Sequence, residues 1–473
     1  MTLRITQSMI FARALNDIRR SSRGIIDTQE QVASGRRINR PSDDPTAMLR
    51  LLPLSSEIRD LRNVRDNSFT AQETLDTAAA ALDQGSSAMS RLRELLVQAS
   101  NGTVSDGDRK TIGVEIDNLL DHVVGLANTR HGDSYLFSGI RTGTPPFRIE
   151  DAGGSSRVVY DGSHESHRLE VAPGMDTTLY SAGDKFFQEV NRGATKFSGS
   201  TGAAATSARD TGRGFGRLDV SFRGLDPASV PAGISAGVSA ANSTALGVLT
   251  YSYAPGAPDT LSINGGPALA VPVSDGAFQT AGGETIFLDV ASPIAPANGT
   301  FTAQADLSVD GGASTSVVDF TQGRVAVKDS HDGTVLNVDV TNLSRTGVED
   351  VTFEGTFDVF TVLIAARDTL ENRDGLSDSE VQARLQELVG AASDSHDQIL
   401  TGLQEFGIRS NSMELLQGRV DGLIISNEST RSRIQDADLA ESISEMTQKE
   451  FNFQASLQVS ARIVQTSLLS FLR

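Results

Sequence analysis

VASGRRINRPSDDPTAMLRL, residues 32–51, interrupts two stretches that otherwise read as helix. Upstream, Ile5, Met9, Ala12, Leu15, Ile18, Ile25 and Val32 recur at roughly three-to-four spacing, which predicts a helix over residues 8–33. Gly35 stands where a helix end takes a left-handed residue, because glycine has no Cβ to clash there. Pro41 blocks any continuation, since its ring removes a donor and restricts the residue before it. Asp44-Pro45 starts a new helix: the aspartate accepts an orphan N–H and the proline has its φ already set. Asp43 and Asp44 also lie at the positive end of that helix dipole. The stretch therefore reads as a basic turn joining two rods.

From Thr46 an apolar series through Leu54, Ile58, Leu61, Leu75, Leu82, Met89, Leu92 and Leu96 continues to about residue 99, far beyond an ordinary globular helix. Asn101-Gly102 ends it, and Asp106 or Asp108 restarts a shorter helix through Leu126. Short strands are predicted at 158–160, 167–171 and 177–179. Residues 192–213, rich in Gly, Ser, Ala and Thr, read as a linker. Period two then replaces helical period to about Asn342, with Asn264-Gly265, Asp310-Gly311 and Asp332-Gly333 expected as type I′ turns. This predicts an all-β domain, sandwich or barrel-like. Helices return at 358–373, at 378–430 with room for an interruption, and at 436–472. The last carries Leu439, Ile443, Met446, Phe453, Leu457, Ala461, Val464, Leu468 and Phe471 in a heptad-like stripe.

Helices, strands, then helices again, with apolar stripes at both chain ends, predict a multidomain α + β fold. Its termini should pair as a long antiparallel helical bundle or coiled coil, with the β domain inserted distally. One helix pair buries too little to repay the ordering of such long ends, so the ends are expected to be completed by neighbouring chains.

Composition limits the function classes. The 473 residues carry a formal charge of −19, which argues against a nucleic-acid partner. The N-terminal end is locally basic through Arg65, and the plain reading of that is a solvated face. Cysteine is absent, excluding disulfides, thiolate metal sites and a cysteine nucleophile. The opening residues lack the apolar run of an ordinary signal peptide, and no stretch predicts membrane insertion. GISAG at 233–237 fits the G-x-S-x-G pattern but has no helix period after it. His164 and His167 would converge on a metal only on a helix, whereas VVYDGSHESHRLEV reads as strand, turn, strand. No catalytic, cofactor-binding or metal-binding residue is assigned, and no enzyme is expected.

SGRRINRPSDDPTAM at 34–48 and ASLQVSARIVQTSLLSFL at 455–472 resemble the terminal motifs of the bacterial flagellin superfamily. ANTRHGDSYLFSGIRTGTPPF at 127–147 and VYDGSHESHRLEVAPG…GDKFF at 159–187 are more similar to its hook–filament junction branch than to filament subunits, and EFGIRSNSMELL at 405–416 and DADLAESISEM at 436–446 fit the resemblance as well. The resemblance covers about 1–187 and 352–473, and stops at the β insert. It implies terminal coiled-coil helices at 1–40 and 436–473, a helical rod at 41–187 and 352–435, and an outer β domain at 188–351. It further implies a secreted structural subunit that leaves the cell by flagellar type III export and is required for filament assembly and motility. The partners implied are a homo-oligomeric ring of like subunits, the hook-proximal junction protein (hook-associated protein 1), flagellin, and a cytosolic export chaperone at the C-terminal helices. Interface positions expected on this reading are Ile5, Met9, Leu15, Ile18, Arg36, Arg37, Arg40, Asp43, Asp44, Leu439, Ile443, Met446, Phe453, Leu457, Val464, Leu468 and Phe471. The arginines are expected to meet acids of a neighbouring subunit. Two alternatives stand beside it: a flagellin-like filament subunit, or an adhesin or enzyme carried by the insert.

Overall fold

A computed structural model describes residues 7–152 and 155–471. Its helices are α1 (Gln7–Ser34), α2 (Pro45–Ala99), α3 (Asp106–Ala127), the single turn α4 (Asp184–Phe187), α5 (Val359–Glu371), α6 (Asp378–Gln435) and α7 (Leu439–Phe471). Three ends differ from the sequence reading. Ser105 caps α3, its hydroxyl accepting the Asp108 N–H at 3.3 Å. α6 runs without interruption for 58 residues. α7 begins three residues late, because Asp436 is held in a bridge to Arg36 and Asp438 accepts the Ala440 and Glu441 N–H groups instead.

The chain divides into two compact units. The first comprises Met1–Glu73, Glu170–Asp176 and Arg409–Arg473. Here α1 packs antiparallel against α7, and the start of α2 lies along the end of α6. Leu51, Ile58, Ala71, Met413, Val420 and Ile424 are its buried apolar residues on that second pair. The Gln417 amide donates to Gln72 at 2.8 Å, and Arg62 pairs with Glu428.

The second unit comprises Thr74–Leu169 and Thr177–Ile408. The later turns of α2 bury Leu75, Leu82, Met89, Leu92 and Leu96, and Ser86 hydrogen-bonds His396 of α6 at 2.7 Å. α3 and α5 lie so close that a Cβ on Gly113 would touch Leu370 and the Arg367 carbonyl. Below them sits a phenylalanine cluster. Phe137 meets Phe186, Phe187 and Phe406 edge-on at 6.3, 5.3 and 6.0 Å, and Phe147 meets Phe187 and Phe360. The flanking hairpin is Phe147–Ala152 with Ser155–Tyr160.

The insert is built on one curled eight-stranded sheet whose central strand is Asn298–Ser308. That strand pairs with Gly214–Leu225 on one side. On the other it pairs with Gly247–Ala254 as far as Ala303, and with Ser316–Val318 beyond it. Two three-stranded sheets cover the same face of the large one. Phe301 and Ala303 join the core with Phe278, Ile286 and Leu288, while Ala305 and Leu307 join the core with Val327, Leu336 and Val338. Phe222 packs against both. Alternation puts these four residues of the central strand on one face.

Residues 192–213 are not a linker. Thr195–Ser198 pairs with Gly347–Phe353, and Ala204–Ala205 pairs with Val335–Asp339. The intervening turn is tied down by Glu349, which is buried and accepts the Thr201 N–H and hydroxyl at 2.6 and 2.7 Å. Small residues there serve edge strands, which composition alone does not distinguish from a flexible tether. Of the three expected turns, only Asn264-Gly265 has both residues at positive φ, 46° and 67°. At Asp310-Gly311 and Asp332-Gly333 only glycine does, so neither is type I′.

Candidate assembly surface

The joint between α1 and α2 follows the chemistry of its residues. Gly35 has φ +69°, with no atom within 4 Å of a notional Cβ, so backbone handedness rather than crowding selects glycine. The next residues lie as a short ladder against the α6–α7 turn. Arg37 N–H donates to the Gln435 carbonyl at 2.7 Å, and Ala437 N–H to the Gly35 carbonyl at 3.0 Å. Asp43 closes the turn by accepting the Arg40 and Asn39 N–H groups at 2.7 and 3.0 Å. Those two donors hold its carboxyl below the ordinary range. Asp44 caps α2 through the Ala47 N–H at 3.0 Å and the Thr46 hydroxyl at 2.7 Å, and its pKa is lowered by the same two bonds in that order.

Two of the joint arginines are engaged within the chain. Arg37 reaches Asp44 at 3.4 Å and the Ile434 carbonyl at 3.1 Å, and Arg40 pairs with Glu30 at 2.7 Å. Arg36 contributes its backbone to the bridge with Asp436, and its exposed guanidinium has no ion pair among the described residues. Glu30 was not singled out from the sequence; its position ten residues before Arg40, across a turn of unknown course, gave no signal.

The terminal helices meet along a seam that mixes apolar side chains with small and polar ones. On α7 the half-buried and buried positions are Ser442, Met446, Lys449, Phe453, Ser456 and Ser460, spaced four, three, four, three, four. Lys449 identifies this as the face toward α1, because its Nζ donates to the hydroxyl of the buried Thr28 at 2.8 Å. Leu15, Ile18, Ile25 and Val32 are half-buried on α1 beside Ser21 and Ser22. Met9, by contrast, is 54% exposed, Leu439 and Ile443 are each 48% exposed, and Leu457 is 43% exposed. Phe451 and Val459 are exposed too, although neither belonged to the predicted stripe. The heptad-like stripe thus splits: Met446 and Phe453 turn inward, while Leu439, Ile443 and Leu457 do not. Ile5 and the side chains of Val464, Leu468 and Phe471 lie outside the described residues.

The second helix pair of this unit also leaves apolar side chains uncovered. Leu49, Leu52 and Phe69 on α2, and Leu415 and Ile425 on α6, are exposed. The run Leu49, Leu51, Leu52 was a legible sign, since consecutive apolar residues on a helix cannot all face one partner.

The motifs that suggested chemistry go elsewhere. Ser235 lies on the strand Ile234–Ala236, paired to Thr285–Val290. His164 Nδ1 lies 2.5 Å from an Asp184 carboxylate oxygen, which accepts its hydrogen bond, whereas His167 packs on the Tyr180 ring at 5.8 Å. Asp310, Asp329 and His331 lie together as metal-ligand types. The Asp310 oxygens are already occupied by Ser308, Ser314 and Ser330 donors, which leaves that carboxylate little to offer a cation.

Residues 5–142, the span holding α1, the joint, α2 and α3, match the bacterial flagellin N-terminal helical region. That region is similar to the flagellin family. The chain is 30% identical over 198 residues to flagellar hook-associated protein 3 of Escherichia coli, covering 41% of this chain and 59% of that protein. It is 27% identical over 194 residues to the Salmonella typhimurium hook-associated protein 3, with the same coverage. The matched part thus spans about three fifths of these flagellin-family relatives. Among solved structures, the flagellar junction protein FlgL from Legionella pneumophila aligns with a TM-score of 0.44 at 18% identity, covering 82% of this chain and all of that one.

Proposed function

We propose that this chain is a flagellin-like, secreted structural subunit of the bacterial flagellum, placed at the junction between hook and filament and needed for filament assembly and motility. The observation that carries this reading is the division of the terminal helices: a seam of mixed apolar, small and polar residues joins α1 to α7, while Leu439, Ile443, Phe451, Leu457 and Val459 remain uncovered. A monomer gains nothing from apolar side chains in water, and a ring of copies buries them. On this proposal residues 1–40 and 436–473 are the inner helices, 41–187 and 352–435 the rod, and 188–351 the outer domain. The partners are further copies of itself, hook-associated protein 1 on one side and flagellin on the other, with a chaperone on the C-terminal helices before export. Arg36 is the joint arginine left free to meet an acid of a neighbouring subunit.

Deleting the gene tests the placement. Hooks without filaments, with flagellin shed into the medium, are expected; intact filaments would refute it. Replacing Arg36, Arg37 and Arg40 by glutamine tests the joint, and normal filaments on normal hooks in that strain would remove the arginines from the interface. A filament-subunit reading draws on the 33% identity over 129 residues to a Listeria monocytogenes flagellin. Purified protein separates the two: a filament subunit polymerises alone, and a junction subunit stays monomeric.

A further inference from the structure

The loops at 190–195 and 206–213 of the insert line an open cleft of about 900 Å³ whose wall is basic. Arg192, Arg209 and Arg213 all line it. Arg213 gives Nη1 to Asp358 at 2.7 Å, with its side chain 46% exposed. Arg192 has no carboxylate partner among the described residues. Its Nη2 donates to the Gly212 carbonyl at 2.5 Å, its guanidinium lies 5.9 Å from the centre of the Phe353 ring, and its Nη1 is buried without a hydrogen-bond partner. Arg209 is exposed and forms no ion pair among the described residues. The one acid of the wall, Asp210, is already engaged: it accepts the Thr195 hydroxyl, and the Asn337 N–H and side-chain amide at 2.7 and 3.2 Å. The three cations feel one another. Arg192 has its pKa lowered first by burial and then by Arg213, with Asp210 opposing the shift and Arg209 adding to it least.

A chain of net charge −19 that gathers like charges at one cleft, with guanidinium donors unspent, has the features of an oxyanion site. We infer that this cleft binds an anionic saccharide bearing more than one carboxylate or phosphate group. Its volume exceeds that of a single inorganic anion, and the hydroxyls of Thr206 and Ser207 in the same wall suit a ligand that also carries hydroxyl groups. Nucleic acid fits worse, because the rest of the molecule repels it.

The test is calorimetric titration of the full-length chain with inorganic pyrophosphate and with a galacturonic acid trimer, at low salt and at about 0.15 M, where charges are screened beyond roughly 8 Å. Binding of the trimer is expected, weakening as salt rises. Arg209→Gln, an exposed substitution, is expected to weaken it at least tenfold with the thermal midpoint unchanged, and Arg192→Gln to do the same or more. Trimer binding, with or without pyrophosphate binding, supports the inference, whereas pyrophosphate binding alone assigns a bare oxyanion site and overturns the saccharide. No heat from either at millimolar ligand overturns the inference. So does binding that survives unchanged in both variants.

Discussion

Replacing Phe137 by alanine probes whether the phenylalanine cluster is a packed core. The ring is fully buried and meets three others edge-on, between 5.3 and 6.3 Å. Deleting a buried phenylalanine costs about 3–5 kcal/mol through lost transfer energy and the cavity left behind. The edge-on contacts, each about 0.5–1.5 kcal/mol beyond area, place this site toward the upper end. Unfolding entropy of about 2.1 cal/mol/K per residue, over a unit running through Thr74–Leu169 and Thr177–Ile408, converts that loss into a drop in midpoint of about 4–7 °C. Differential scanning calorimetry of wild type, Phe137→Ala and Phe137→Leu measures it, with leucine expected between the other two. With tryptophan absent, aromatic circular dichroism reports mainly the tyrosines and phenylalanines and is expected to lose amplitude in the alanine variant. A midpoint within about 1 °C of wild type would show that the cavity collapses freely, and would refute the claim that these rings interlock.

Tyr160 is expected to ionise at about 12, because burial penalises its phenolate. A folded pKa above the unfolded value means that its contribution is complete below about 10 and is lost as pH rises through about 12, so absorbance at 295 nm should keep a late step that Tyr160→Phe removes. Asp43 and Asp44 have the opposite sign: their lowered values mean that their support for the joint is present above the ordinary carboxylate range and is lost only as pH falls below it. Proton resonance titration of the two side chains should give midpoints under the model-peptide value. In Asp44→Ala the Ala47 amide should exchange faster than in wild type. Gly35→Ala should destabilise the α1–α7 unit by about 1–2 kcal/mol with no steric clash, since only the positive φ opposes it; an unchanged denaturant midpoint would refute the left-handed cap.

The helical parts were legible because long amphipathic periods and explicit caps leave few alternatives. Gly35, Asp44 and Pro45 each do at the joint what their side chains allow. The seam between the terminal helices was less legible. Leu439 and Met446 sit one heptad apart, yet one is exposed and the other half-buried. Hydrophobicity marks what a side chain would gain from burial, not which neighbour supplies it, and Ser442, Ser456 and Ser460 carry no such mark. The order in residues 192–213 was hidden for a related reason. It depends on Glu349, 148 residues away from Thr201 along the chain, and no local pattern encodes such a tether.

The central strand of the insert, Asn298–Ser308, gives its first inward residues to one core and its last to the other. A deletion that trimmed either half would strip the surviving half of a wall, so natural length variation here must fall in the loops or remove the whole module. The same sharing forbids partial melting. Heat or denaturant should take both halves through one transition, and a cut anywhere in those eleven residues should unfold both halves.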